Sequence, residues 1–127
     1  MKNTLLMSCA AILSLGACST GPSTQVGQDL YEQHCASCHG ADARGGAQIP
    51  DLRTIASRAG GIYPQMRVLD KLDGYARGQR AYDGVEMPDF GMLLIGPLDR
   101  VETDDGLSRP LPETILALEA YLRSIQE

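Results

Sequence analysis

Apolar positions recur at helical spacing in three stretches of the chain. From Val26 to His34, the residues Val26, Leu30 and Tyr31 fall on or near one face, and Asp29 is read as first-turn acid that favours the helix dipole. This pattern predicts a first helix that runs directly into Cys35. Between Pro64 and the break at Gly78, Met66, Leu69, Leu72 and Tyr75 form a second stripe, with Pro64 suited to a first helical position. Ile115, Leu118, Leu122 and Ile125 follow at spacings of three and four with Tyr121 alongside, so a last helix is expected from Pro112 to Ser124. Shorter helical pieces are expected over Arg53 to Ala59, capped by Asp51, and over Gln79 to Tyr82.

Two regions lack that regularity. Gly40 to Gln48 carries Gly40, Gly45 and Gly46, a composition that favours a tight loop passing close to something bulky. In Asp83 to Pro110, the apolar run from Phe90 to Leu98 suits a short helix or strand, and Glu102-Thr103-Asp104-Asp105 reads as a solvated loop. No internal repeat and no nucleotide-binding glycine motif is present.

The N-terminus follows different rules. Lys2 is followed by an apolar run from Leu5 through Ala17, shorter than the about 20 residues that span a bilayer, and it reads as a secretory signal. It ends in Leu15-Gly16-Ala17-Cys18, which resembles the lipobox of bacterial lipoproteins; too few apolar residues precede Cys9 for a box there. The resemblance implies a leader over 1–17, lipidation of Cys18, and anchoring on the periplasmic side of a bacterial membrane. Ser19, where aspartate would retain the protein at the inner membrane, favours the outer one. Residues 18–25, with Gly21 and Pro22, are expected to be a flexible tether, and 26–127 the folded domain.

With 127 residues, 14 glycines and 7 prolines, the chain suits one small domain in which a large prosthetic group would supply much of the stability. There are 11 Lys/Arg against 16 Asp/Glu, and Lys2 leaves with the leader, so the remainder carries a formal charge of −6. With no basic cluster or aromatic ladder, that balance argues against nucleic-acid binding. Acidity maintains solubility, or steers a positively edged partner.

Of four cysteines, Cys9 falls in the leader and Cys18 is assigned to lipid, which leaves Cys35 and Cys38 in the domain. They stand in Cys35-Ala36-Ser37-Cys38-His39. Two cysteines so spaced can each add across one haem vinyl group, and the adjacent histidine can ligate the iron. The competing chemistries need other contexts. A thioredoxin-like dithiol sits beside a βαβ pattern, which is absent, and a structural zinc site needs four donors, for which His34 would have to join the three motif residues. A disulfide is the remaining alternative. His34 is too near the attachment site to reach the opposite haem face.

Electron transfer at a haem iron is normally served by two protein ligands, and a thioether as the second raises the potential. Outside the leader the methionines are Met66, Met87 and Met92. Met66 fits its helix stripe, Met92 lies in an apolar run, and Met87 stands beside Pro88, which stiffens its segment.

The order Gly27, Tyr31, Cys35-Ala36-Ser37-Cys38-His39-Gly40, Pro50-Asp51-Leu52, Met87-Pro88 and Leu118-Glu119-Ala120-Tyr121-Leu122 resembles that of class I, monohaem cytochromes c, from Val26 to the end of the chain. The resemblance implies an all-α domain wrapped around one covalent haem c, with Cys35 and Cys38 as thioether cysteines. His39 would be the proximal ligand and Met87 the distal one. Pro50 would supply the carbonyl that accepts the histidine ring N–H, and Leu52 an apolar haem contact. Gly27 and Tyr121 would meet where the first and last helices cross, Gly27 admitting the aromatic ring, although Tyr31 could fill the same interface. The implied function is an extracytoplasmic single-electron carrier or electron-accepting subunit, not an enzyme. It would cycle Fe(II)/Fe(III) between redox protein donors and acceptors such as a dehydrogenase or terminal reductase. The alternative is a haem enzyme or gas-binding sensor with a displaceable distal ligand. Gly96 to Pro110 departs from the shortest family members as an extended, acidic connection.

Overall fold

Ser23, itself in extended backbone, caps the first helix: its Oγ accepts the Val26 N–H at 3.4 Å, and helix α1 follows over Thr24–His34. The computed structural model describes residues 22–74, 87–88, 90 and 94–127. The cap moves the start of α1 two residues into the expected tether, so Asp29 lies in its second turn, where its carboxylate accepts a hydrogen bond from the Gln25 side-chain amide. Cys35 stays in the right-handed helical region and donates its N–H to Tyr31 O, so the one-turn helix α2, Ala36–His39, continues almost without interruption. Gly40, at φ 80°, ends it.

The chain then loops to Asp51, whose carboxylate accepts the Arg53 N–H at 2.9 Å and caps a single 3-10 turn over Leu52–Thr54. Helix α3, Ile55–Arg58, stops at Gly60 and Gly61, both at positive φ. Helix α4 covers Gln65–Leu72 with Val68, Leu69 and Leu72 buried and Met66 half-buried. The stripe pattern predicts continuation to Gly78, but Asp73 closes the helix, followed by Gly74 at φ 74°. Glycine there relieves the last carbonyls in a left-handed turn, which side-chain periodicity does not register. Tyr75 and the expected turn over Gln79 to Tyr82 lie outside the described residues.

Phe90 and Leu94 enter the core, and the acidic connection proves to be a β-hairpin. Strand β1, Leu98–Glu102, pairs antiparallel with β2, Ser108–Pro112, from Leu98↔Pro112 to Glu102↔Ser108. The polar run supplies the turn: Asp105 accepts from the Thr103 hydroxyl and from Leu107 N–H, Thr103 N–H donates to Leu107 O, and Gly106 takes φ 76°. Thr103 is buried by this arrangement, so the run is not simply a solvated loop. The prolines, which speak against a central strand, are tolerated because a two-stranded ribbon consists only of edges.

Helix α5, Glu113–Ser124, buries Ile115, Leu116, Leu118 and Leu122, and crosses α1. Among the described residues the architecture is therefore all-α with one added hairpin. At the crossing, a Cβ on Gly27 would overlap Ala117 O and come within 2.7 Å of both Ala117 C and Tyr121 Cβ. Gly27 thus admits helix backbone, whereas the Tyr121 ring lies against Tyr31, with centroids 5.4 Å apart. The chain end ties α5 to the α3 region, since the Gln126 side chain accepts from Ala56 N–H and donates to Leu52 O.

Gly27→Ala should separate α1 from α5 and lower stability by about 2–3 kcal/mol. Urea unfolding monitored by circular dichroism measures this; a midpoint at the wild-type value would show that the crossing tolerates a side chain.

Candidate functional site

The end of α1 and the single turn of α2 place Cys35, Cys38 and His39 together. Cys38 N–H and His39 N–H both bond Cys35 O, at 3.1 and 2.9 Å, so one tight turn carries two thiols and an imidazole between Cys35 and His39. Both thiols are free, Cys35 buried and Cys38 exposed. Burial, followed by the neighbouring Cys38, pushes the Cys35 thiol up to about 11, so it is uncharged near neutral pH.

His39 is only 8 % exposed, and its Nδ1 lies 3.2 Å from Pro50 O. A carbonyl can only accept, so Nδ1 carries the proton and Nε2 keeps its lone pair. Burial holds the imidazole below its ordinary pKa, with the Pro50 contact partly opposing, and the ring is therefore neutral near pH 7. A neutral imidazole oriented through Nδ1 is the form that ligates a metal through Nε2.

Pro50 is held opposite the ring by the glycine loop. Gly45 N–H donates to His39 O at 2.8 Å, Gly46 N–H donates to Ile49 O at 2.9 Å, and Leu52 N–H donates to Ala43 O at 2.9 Å. Gly45 sits at φ 68°, and a Cβ there would overlap Ile49 O and approach Pro50 O to 2.7 Å. The glycines thus let the loop backbone close over itself beside His39, the close approach that their composition predicts.

Leu52 and Met87 are both half-buried against the common apolar core, with Pro88 exposed beside Met87. Met66 is half-buried on α4, and His34 half-buried in the last turn of α1. Cys18 and Met92 lie outside the described residues. One polar group was not singled out by the sequence. The Tyr63 hydroxyl is buried without a hydrogen-bond partner among the described residues, and Arg123 stacks over its ring at 5.2 Å. Burial, followed by Glu119, raises its pKa, so it remains a protonated donor. Tyr63 directly precedes the helix-opening Pro64, and its unmet donor is a property of the packed chain.

Two free thiols on one turn and a neutral histidine whose Nδ1 is engaged by Pro50 O, leaving Nε2 uncommitted, fit a prosthetic group attached at this turn. Among the described residues, no group of three or more His, Cys, Asp and Glu side chains is arranged to hold a metal ion by itself. The cytochrome c family model matches residues 25–126.

The chain belongs to the cytochrome c family. Cytochromes c are electron-transfer proteins, typically non-catalytic carriers, and membership implies a haem c cofactor. The all-α frame with its hairpin is consistent with a class I cytochrome c domain. Cytochrome c550 of Pseudomonas aeruginosa is 41 % identical over 39 residues, which amount to 31 % of this chain and 27 % of that protein. The chain therefore aligns with little more than a quarter of that cytochrome's length. No solved structure matches it significantly. Among the described residues, no helix is long and apolar enough to cross a membrane.

Gly45→Ala adds both a left-handed side chain and an overlap with Ile49 O, and should cost about 2 kcal/mol or more. Urea unfolding measures the loss. Faster solvent exchange of the His39 Nδ1 proton, followed by NMR, should accompany it, whereas a wild-type exchange rate would detach the glycine loop from the ring.

Proposed function

We propose that this cytochrome c is an extracytoplasmic single-electron carrier, or the electron-accepting subunit of a larger oxidoreductase, with one haem c bound through Cys35 and Cys38 and ligated by His39 and Met87. The observation that carries this reading is the turn itself: two free cysteines and a histidine whose Nδ1 is taken up by Pro50 O. When bound, the haem supplies an iron that exchanges one electron between its Fe(II) and Fe(III) states.

The chain's own residues do the rest. Cys35 and Cys38 would hold the group, each thiol adding its S–H across one vinyl. Pro50 orients the His39 ring and raises its basicity through the Nδ1 hydrogen bond. Met87 would be the second ligand and would keep substrate from the iron, and its thioether would favour the reduced state relative to a second histidine. Leu52 and the apolar core exclude water and keep the reorganisation around a change of charge small.

In the cell, the reading extends to a leader over 1–17, lipidation of Cys18 and a tether of 18–25 shortened by the observed start of α1 at Thr24. The folded domain would then stand on the periplasmic side of a bacterial membrane, the outer one favoured by Ser19. Its partners would be redox proteins, a dehydrogenase or terminal reductase among them, approached with a formal charge of −6 beyond the leader.

Expression in a host competent for haem attachment should give a haem-staining band after denaturing electrophoresis, which the Cys35→Ala, Cys38→Ala double variant loses. An unstained wild-type band would end the haem c reading. The native reduced protein should bind carbon monoxide slowly and incompletely; rapid, complete binding would instead establish a displaceable distal ligand, as in a haem enzyme or gas sensor. Met87→Ala should abolish the near-infrared thioether-to-iron band, and its persistence would transfer the ligand to Met92 or Met66.

A further inference from the structure

Tyr31 is fully buried, with its ring against Tyr121 at the crossing of α1 and α5, and a phenylalanine would fill the same space. Its hydroxyl does something that packing does not require. It reaches past the end of α1 and donates to Gly40 O at 2.6 Å. Gly40 directly follows His39, and its left-handed backbone turns the chain out of α2. The same oxygen accepts Ala43 N–H at 3.1 Å. Ala43 is the one non-glycine residue at positive φ among the described residues, and it is buried. A backbone held in that region persists only where its surroundings over-determine it. Ala43 O in turn accepts the N–H of Leu52, two residues beyond Pro50, and His39 O accepts Gly45 N–H. A continuous run of hydrogen bonds therefore links the Tyr31 hydroxyl to the loop whose far end places Pro50 O 3.2 Å from His39 Nδ1.

We propose that Tyr31 is a positioning residue for the His39 imidazole: by holding Gly40 O, its hydroxyl sets the closure of the Gly40–Asp51 loop and, through Pro50 O, the orientation and donor strength of the ring. The inference rests on His39 being the iron ligand. A full Nδ1–H···O=C bond makes the imidazole more basic and favours the oxidised iron. Slackening the loop weakens that bond and destabilises the oxidised state. Tyr31 thereby couples the helix crossing to the iron site through Gly40 O and the loop that follows it.

The experiment compares the haem-loaded wild type with Tyr31→Phe and, as a control that alters the other ring of the pair, Tyr121→Phe. In Tyr31→Phe the midpoint potential should rise, the hyperfine-shifted His39 ring protons of the ferric protein should move, and the Nδ1 proton should exchange faster; Tyr121→Phe should leave all three at wild-type values. A Tyr31→Phe protein that is less stable but has unchanged potential and His39 resonances overturns the proposal and makes Tyr31 a packing residue. Should that variant fail to fold, 3-fluorotyrosine at position 31 preserves the shape and makes the hydroxyl a stronger donor; unmoved His39 resonances then overturn it equally. Wild-type holoprotein without hyperfine-shifted His39 ring protons would defeat the ligation itself, whatever any Tyr31 variant shows.

Discussion

The close crossing of α1 and α5 is the constraint on which the rest of the structure depends. At Gly27 the two helices approach until one backbone rests on the other, a separation that any side chain would widen. That contact sets the height at which α1 ends, and α1 ends at the cysteine turn. The position of Cys35, Cys38 and His39 relative to the core thus follows from a missing methyl group two turns upstream. The Tyr31–Tyr121 pair completes the interface one turn further on, where the helices have room for two rings.

Where local chemistry decided the outcome, it was legible in the sequence. The periodicity of α5, the Asp51 cap, the breaks at Gly60 and Gly61 and the close-packed loop around Gly45 all express preferences of a few neighbouring residues. The clustering of Cys35, Cys38 and His39 is local as well, since one helical turn suffices to assemble it. The hairpin was not legible for the opposite reason. Its strands are short, carry charges and prolines, and show no clean alternation; they are held by cross-strand pairing and by a turn in which Asp105 bonds its neighbours. The premature end of α4 reflects backbone conformation at Gly74, to which hydrophobic spacing is blind. The partners that sequence spacing leaves unnamed, Gly40 O for the Tyr31 hydroxyl and none among the described residues for that of Tyr63, are set by tertiary packing alone.

Polar groups in this small core are handled unequally. His39 is buried neutral and spends its one proton on Pro50 O. Glu119, buried on α5, has its pKa raised by desolvation, and Arg123 opposes the shift by bonding the same carboxylate oxygen through Nε and Nη2 at 3.0 and 2.6 Å. Arg123 also lies over Tyr63, so one half-exposed cation serves both a buried carboxylate and an aromatic face. The charge needed in the interior is supplied from its rim, which leaves the centre apolar.

The hairpin is closed at its base, where Glu113 N–H donates to Pro97 O at 2.9 Å, and is tied to the helices again by the Arg109–Asp70 ion pair and by Val101 and Leu111, which pack against the apolar core. The frame therefore experiences the whole excursion as a short closed loop, and what lies beyond the bond at its base contributes little to the closure entropy of the core. A segment fastened at its base in this way can vary in length and surface character between related proteins while the helices beneath it keep their geometry.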